Sequence, residues 1–152
     1  MGGAKNSVLK LMAATVLAEG RHELHNVPAI SDVEVMGDLL VSMGLTVTSR
    51  ADSVLEVHCG SHVTPEAPYE LVERMRASIN VLGPLVGRFG EAKVALPGGD
   101  DFGSRPVDMH LKALEAMGAS VSFRHGEMVV RADRLRGTRI LLEFPSVGAT
   151  EN

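Results

Sequence analysis

A glycine-rich stretch near the middle of this 152-residue chain sets two carboxylates and an arginine close together: Leu96-Pro97-Gly98-Gly99-Asp100-Asp101-Phe102-Gly103-Ser104-Arg105-Pro106-Val107-Asp108. Glycines let backbone approach a ligand and accept φ > 0. Pro106 suits the first position of a following helix, where its missing N–H would have had no partner. A helix N-terminus, a cation and an acid presented together suit an anionic substrate. The same composition also fits an ordinary solvated turn.

Other reactive side chains lead less far. His58, Cys59 and His62 are close in sequence, but the chain has one cysteine and no second ligand motif, so no metal site is expected. His22 and His25 fall on a predicted strand at a spacing that points to opposite faces, which reads as surface histidine. The eight methionines, Met36, Met43, Met75 and Met117 among them, fall on predicted apolar helix faces and read as core filler.

The elements that must carry these residues repeat. Met43-Gly44-Leu45-Thr46-Val47-Thr48 returns 74 positions later as Met117-Gly118-Ala119-Ser120-Val121-Ser122. The same offset pairs Arg50 with Arg124, Val54 with Met128 and Leu55 with Val129. Each copy reads as a helix stopped by glycine, then a β-hairpin with turns at Arg50-Ala51-Asp52 and Arg124-His125-Gly126. Upstream, Lys5 to Glu19 predicts a helix with Leu9, Met12, Val16 and Leu17 on one face, stopped by Gly20. A strand follows over residues 22–27. Ser31-Asp32-Val33-Glu34 reads as a capping box opening a helix that faces inward through Met36, Leu39, Leu40 and Met43. In the second copy a helix runs from about Pro68 to Gly87, with Leu71, Val72, Met75, Ile79 and Leu82 inside and a kink at Gly83-Pro84. A strand at 93–96 and a helix at 106–117 complete it.

The repeat unit is therefore α-β-α-β-β, an α/β (α+β) organisation. A third copy is expected to begin with a strand at Arg139–Phe144 and a helix at Gly148-Ala149-Thr150-Glu151-Asn152, echoing Gly3-Ala4-Lys5-Asn6. A helix opened and not continued buries nothing, which reads as a piece of a longer repeat protein. Pro28 and Met43 lie 15 positions apart, whereas Pro97 and Met117 lie 20 apart. The extra residues fall within Gly98–Ser104, and an insertion in one copy of a repeat marks a binding or catalytic device.

Bulk composition narrows the function classes. The chain is long enough for one domain with a real core. That core must be aliphatic, because tryptophan is absent and aromatics are 3%. A net charge of −4 argues against nucleic-acid binding through bulk charge. No apolar run is long enough to span a membrane. The N-terminal residues do not form a signal peptide, and the single cysteine suits a reducing cytoplasm.

Taken together, Gly3-Ala4-Lys5-Asn6, Met75-Arg76-Ala77-Ser78, Leu82-Gly83-Pro84-Leu85-Val86, Leu96-Pro97-Gly98-Gly99, Gly103-Ser104-Arg105-Pro106-Val107-Asp108 and Ser146-Val147-Gly148-Ala149-Thr150 resemble the UDP-N-acetylglucosamine 1-carboxyvinyltransferases. These are enolpyruvyl transferases of peptidoglycan synthesis. The motifs occur in family order and spacing over essentially the whole chain. The sister family, 5-enolpyruvylshikimate-3-phosphate synthase, shares the repeat fold but opens with a serine-rich motif.

The resemblance implies two domains of three βαβαββ units around a cleft. This chain would hold unit one at about 3–60, unit two at about 61–136 and the start of a third at about 137–152. It implies enolpyruvyl transfer from phosphoenolpyruvate to the 3-hydroxyl of UDP-N-acetylglucosamine, without a cofactor. Lys5 would contact phosphoenolpyruvate, with Asn6 beside it, and Arg76 would touch the UDP-sugar. On the residues alone, Lys5 also reads as a solvated lysine, and Arg76 as half of a surface ion pair. Arg105, Pro106, Val107, Asp108 and Met109 match one nucleotide-holding stretch, and Pro145, Ser146, Val147 and Gly148 a second. Phe144 stands where many relatives carry a lysine.

Asp100 stands where most of the family has a cysteine, as the acid that gives and takes a proton. The Asp101 charge beside it would help Asp100 stay protonated. An exposed, ionised carboxylate pair is the other reading. The family's aspartate base and two of its arginine clamps fall outside the matched part, so a fragment inactive alone is expected. A non-catalytic binding module and the shikimate-pathway sister remain the alternatives. A missing third unit would also leave an apolar patch exposed and favour self-association.

Overall fold

The computed structural model describes residues 3–95 and 107–152, the side chain of residue 76 excepted. The first half runs α1 (Lys5–Ala14), a 3-10 turn (Thr15–Leu17), β1 (Gly20–Leu24), α2 (Ser31–Ser42), β2 (Thr46–Arg50) and β3 (Val54–Cys59). The second half runs β4 (Glu66–Ala67), α3 (Tyr69–Val72), a 3-10 helix (Arg76–Val81), α4 (Leu82–Phe89), β5 (Glu91–Ala95), α5 (Asp108–Ala116), β6 (Ser120–Arg124) and β7 (Glu127–Arg131), with α6 (Val147–Glu151) beyond it.

The strands form two sheets, ordered β1-β3-β2 and β4-β5-β7-β6. In each, the hairpin's second strand lies in the middle and pairs antiparallel with both neighbours. The short β4 adds a parallel edge to β5. One aliphatic cluster joins the halves: Leu9 and Met12 of α1, Met36, Leu39 and Leu40 of α2, Leu82 and Leu85 of α4, Val57 of β3 and Met128 and Val130 of β7 are all buried in it. No helix among the described residues is long and apolar enough to cross a membrane.

Arg88 of α4 fastens the halves. Its guanidinium donates to the Val16 carbonyl at 2.7 Å, to the Gly60 carbonyl at 3.3 Å and to the buried Cys59 Sγ at 3.1 Å, and it pairs with Glu19 at 3.2 Å.

The helix-to-hairpin junctions are near copies. Gly44 and Gly118 both sit at φ +101, a region that glycine alone enters cheaply. Each donates to the carbonyl three residues back at 2.9 Å, and the next residue donates to the carbonyl five back at 3.0 Å. Orphan C-terminal carbonyls of both helices are satisfied this way.

Several expectations shift. The first helix is α-helical only to Ala14, then tightens; Leu17 points outward while Thr15 is buried, its hydroxyl on the Met12 carbonyl at 2.7 Å. Ser31 is the first residue of α2 rather than its cap, and no side-chain cap forms there. The expected helix over 68–87 is three pieces. It breaks at Met75, whose backbone is extended (φ −152, ψ 118), not at Gly83-Pro84. Pro84 falls in the first turn of α4, where a missing N–H costs nothing.

The repeat offset slips by one inside the hairpin. The first loop spans residues 51–53 and the second only 125–126. Leu55, Val57 and Cys59 therefore match Met128, Val130 and Ala132, all buried, not the pairs that the constant offset predicts. A one-residue slip would have turned every inward side chain outward.

Residues 139–144 form no strand. A strand needs a partner edge, and among the described residues this segment has none.

Candidate functional site

Each described residue that the sequence marks as a binding candidate, apart from Pro145, lies at or beside a helix N-terminus. Lys5 and Asn6 open α1, Arg76 opens the 3-10 helix, and Val107 to Met109 lead into α5. Ser146 caps α6, with Val147 and Gly148 following and Pro145 just ahead. First-turn N–H groups lack intrahelical partners, and the helix dipole favours negative charge there. Asp100, Arg105 and Pro106 lie outside the described residues, as does the side chain of Arg76.

Lys5 is positioned by a close approach. A Cβ at Gly3 would collide with the Asn26 carbonyl oxygen and stand 3.2 Å from Pro28 Cδ. Glycine thus lets the chain press against the β1–α2 connection, which sets Lys5 beside the start of α2. There its ammonium pairs with the Asp32 carboxylate. A cation at a helix N-terminus is unfavourable alone, and Asp32, which the sequence reading missed, supplies the compensating anion. The Lys5 side chain is still 58% exposed and open to a ligand.

A second group forms where α5 meets α6. Asp108 stands in the first turn of α5, where its charge suits the dipole. Lys112, one turn on, lies 3.5 Å from Asp108 Oδ2 and 2.5 Å from Glu143 Oε1. The hydrogen bond and charge of Glu143 hold the Lys112 ammonium above its ordinary pKa, against a small lowering by desolvation, with Asp108 adding to the rise. Asp108 Oδ1 is buried and has no hydrogen-bond partner among the described residues. A buried acceptor without a partner is costly. Met109 is buried beside it.

The Pro145–Gly148 turn leads into α6, with Gly148 against the His110 ring of α5. Ser146 Oγ accepts from the Ala149 N–H at 3.3 Å, and Thr150 Oγ1 donates to the Ser146 carbonyl at 2.6 Å. α6 is held by a Lys10–Glu151 ion pair and by Asn152, which reaches Ile79, Gly83 and His110. The structure therefore joins the start of α5, the Ser146–Gly148 turn and the 3-10 helix headed by Arg76. Lys5 and Asn6 stand with the start of α2 instead. His110 and Asn152 were not marked by the sequence reading; the one available signal was that the segment ending at Asn152 echoes Gly3-Ala4-Lys5-Asn6.

His58 and His62 are exposed and Cys59 is buried. No group of three metal-ligating side chains comes together among the described residues. A cleft of about 600 Å³ lies away from these residues, at the C-terminal end of α4 between residues 86–91 and 131–135.

Paired sheets with hairpin centres, each covered by helices whose N-termini gather the polar residues, define an enolpyruvyl transferase fold. The enolpyruvyl transferase NikO from Streptomyces tendae superposes with a TM-score of 0.76 at 24% identity, covering 89% of this chain and 29% of that one. An EPSP synthase from Acinetobacter baumannii superposes with a TM-score of 0.73 at 18% identity, covering 99% of this chain and 35% of that one.

A family model described as EPSP synthase (3-phosphoshikimate 1-carboxyvinyltransferase) matches residues 1–152, and the chain belongs to that family. Curated relatives named UDP-N-acetylglucosamine 1-carboxyvinyltransferase are 49% identical in Sorangium cellulosum, 54% in Gluconobacter oxydans and 53% in Mycobacterium tuberculosis. Each match takes in all of this chain, which spans 36% of each relative's length.

Proposed function

We propose that this chain supplies one substrate-binding wall of an enzyme that moves an enolpyruvyl group from phosphoenolpyruvate to the 3-hydroxyl of UDP-N-acetylglucosamine. The observation that carries this reading is the junction of α5 and α6. The first turns of α5 and α6 meet there, Gly148 against His110, beside a buried Asp108 oxygen that has no partner among the described residues. N–H groups suit a diphosphate, and a carboxylate acceptor suits a ribose hydroxyl or a base N–H. The shared name of relatives about half identical over the whole chain supports the choice of substrates.

In this reading, Arg105 to Met109 and Pro145 to Gly148 hold the nucleotide, Arg76 the sugar, and Lys5 with Asn6 the phosphoenolpyruvate side. Asp100 protonates the enol carbon as the sugar 3-hydroxyl, giving its proton to a base that these residues do not supply, adds through its oxygen to the neighbouring carbon. That carbon becomes a tetrahedral ketal. Loss of a proton and of phosphate then restores the double bond. The units run at about 3–60, 61–136 and 137–152, and the 152 residues alone give negligible turnover. The enzyme serves peptidoglycan synthesis in the cytoplasm, and through it cell shape and division.

Isothermal titration of the chain with UDP-N-acetylglucosamine tests the reading. Saturable binding is expected, and an Asp108→Ala variant should weaken it. Binding of shikimate 3-phosphate instead would move the chain to the activity that names the family model.

Self-association belongs to the same proposal. Ile140, Leu141, Phe144 and Val147 stand exposed along one segment, Leu141 at 92%. Light scattering at rising concentration should show mass growth; a constant monomer mass would refute it.

A further inference from the structure

We infer that His110, in its neutral form with the proton on Nε2, is the positioning residue that sets the Ser146–Gly148 turn against the first turn of α5. This rests on the proposed UDP-sugar reading for its effect on affinity, but not for its effect on structure.

The hydrogen-bond network determines the tautomer. The Gly83 N–H can only donate, so the Asn152 side-chain atom 3.3 Å from it must be Oδ1. The other terminal atom is then the NH2 group. One of its hydrogens goes to the Ile79 carbonyl at 3.3 Å. The second points to His110 Nδ1 at 2.9 Å. A protonated Nδ1 would oppose one donor with another, so Nδ1 must be the bare acceptor.

The same network explains why α6 needs the histidine. α6 (Val147–Glu151) is tied to other elements by side chains near its C-terminal end. Lys10 pairs with Glu151, and Asn152 reaches Ile79 and Gly83, all on the α1 and α4 side. Toward α5, the partly buried bond to His110 is a direct link among the described residues. The Lys112–Glu143 pair that also spans this junction is exposed and worth little in water. The ring also packs along α6, 3.9 Å from where a Gly148 Cβ would stand. His110 lies two residues beyond Asp108. Its acceptor therefore ties the turn that follows Pro145 to the helix start that carries Asp108.

The test uses this chain with His110→Leu and His110→Asn. Leucine removes the acceptor, whereas the asparagine Oδ1 stands close to where Nδ1 stood. In the unmodified chain, two-bond proton–nitrogen correlation spectra should show an Nε2–H tautomer with unprotonated Nδ1. Amide exchange at residues 149–152 should accelerate about tenfold in His110→Leu, the equivalent of one buried hydrogen bond, and return nearly to normal in His110→Asn. UDP-N-acetylglucosamine affinity should fall and recover in parallel.

An Nδ1–H tautomer, or an asparagine variant as loose as the leucine one, would overturn the inference. Should the leucine variant not fold, the tautomer and the asparagine variant still decide. If exchange follows this pattern but no variant binds the nucleotide sugar, the substrate reading fails and the positioning role stands.

Discussion

In both the α1–β3 half and the β4–β7 half, a helix runs into a glycine at φ +101 and two strands follow, the second lying in the middle of its sheet. The parts that repeat are those the shared core demands: an inward helix face, a glycine stop, and alternate inward residues on the central strand. The parts that differ are connections. Residues 25–30 link β1 to α2, whereas residues 96–107 link β5 to α5. Packing penalises change in the first class by several kcal/mol and scarcely touches the second. One copy was therefore free to lengthen its connection while the other kept a shorter link.

The largest expected effect breaks that asymmetry at the longer connection. In a complete enzyme carrying this chain, Asp100→Asn should lower turnover by about 10²–10⁴-fold, with UDP-N-acetylglucosamine affinity held. Unchanged turnover would return residues 96–107 to the status of a link like 25–30. The same position should confer resistance to fosfomycin, because a carboxylate is a far weaker nucleophile toward an epoxide than a thiolate. Mass spectrometry should find no adduct on the native enzyme and a stoichiometric one on Asp100→Cys. Rapid labelling at Asp100 itself would refute this.

Much of the shared architecture is legible in the residues. Met36, Leu39, Leu40 and Met43 recur at helical spacing and are fully buried. Val72, Met75, Ile79 and Leu82 are buried too, although the helix expected to carry them is broken, because burial follows the packing face and not the helix type. The break itself was not legible. Nothing in the Met75 side chain forbids a helix; the turn is tightened by Ser78 Oγ donating to the Met75 carbonyl at 2.6 Å, a bond that exists only once the chain has turned. The missing strand at 139–144 and the Lys5–Asp32 pair share that reason, since each depends on a partner distant in sequence. So does the Asn152 side chain, whose partners Gly83, Ile79 and His110 lie 42 to 73 residues away.

A smaller effect sharpens the likeness of the two glycine stops. Gly44→Ala and Gly118→Ala should each cost about 1–2 kcal/mol, the penalty of an L side chain at strongly positive φ. Gly44 should be the more sensitive. Its added Cβ would stand 3.3 Å from the His62 carbonyl oxygen, against 3.9 Å from that of Arg134 at Gly118. Urea unfolding followed by far-ultraviolet circular dichroism should rank them so. A Gly118 variant clearly worse than the Gly44 one would show that the junctions are not equivalent under load.

The smallest expected effect concerns the hairpin loops, where the copies differ by one residue. The first loop places Asp52 and Ser53 at φ +61 and +59, and the second places His125 and Gly126 at +52 and +84. Aspartate tolerates this region through local hydrogen bonding, and glycine enters it freely. Serine does neither well, so Ser53 carries strain that its counterpart Gly126 avoids. Its carbonyl nevertheless accepts the Val27 N–H at 2.8 Å, which anchors the loop to the β1–α2 connection. Glycine keeps that carbonyl. Ser53→Gly should therefore stabilise the chain by about 0.5–1 kcal/mol, the relief of left-handed strain less the added freedom of the unfolded chain. Gly126→Ser should destabilise it by a similar amount. The urea midpoint should rise for the first variant and fall for the second, at an unchanged slope. A fall for Ser53→Gly would mean that its side chain stabilises the longer loop, and that the one-residue difference between the hairpins is maintained by a contact and not merely tolerated.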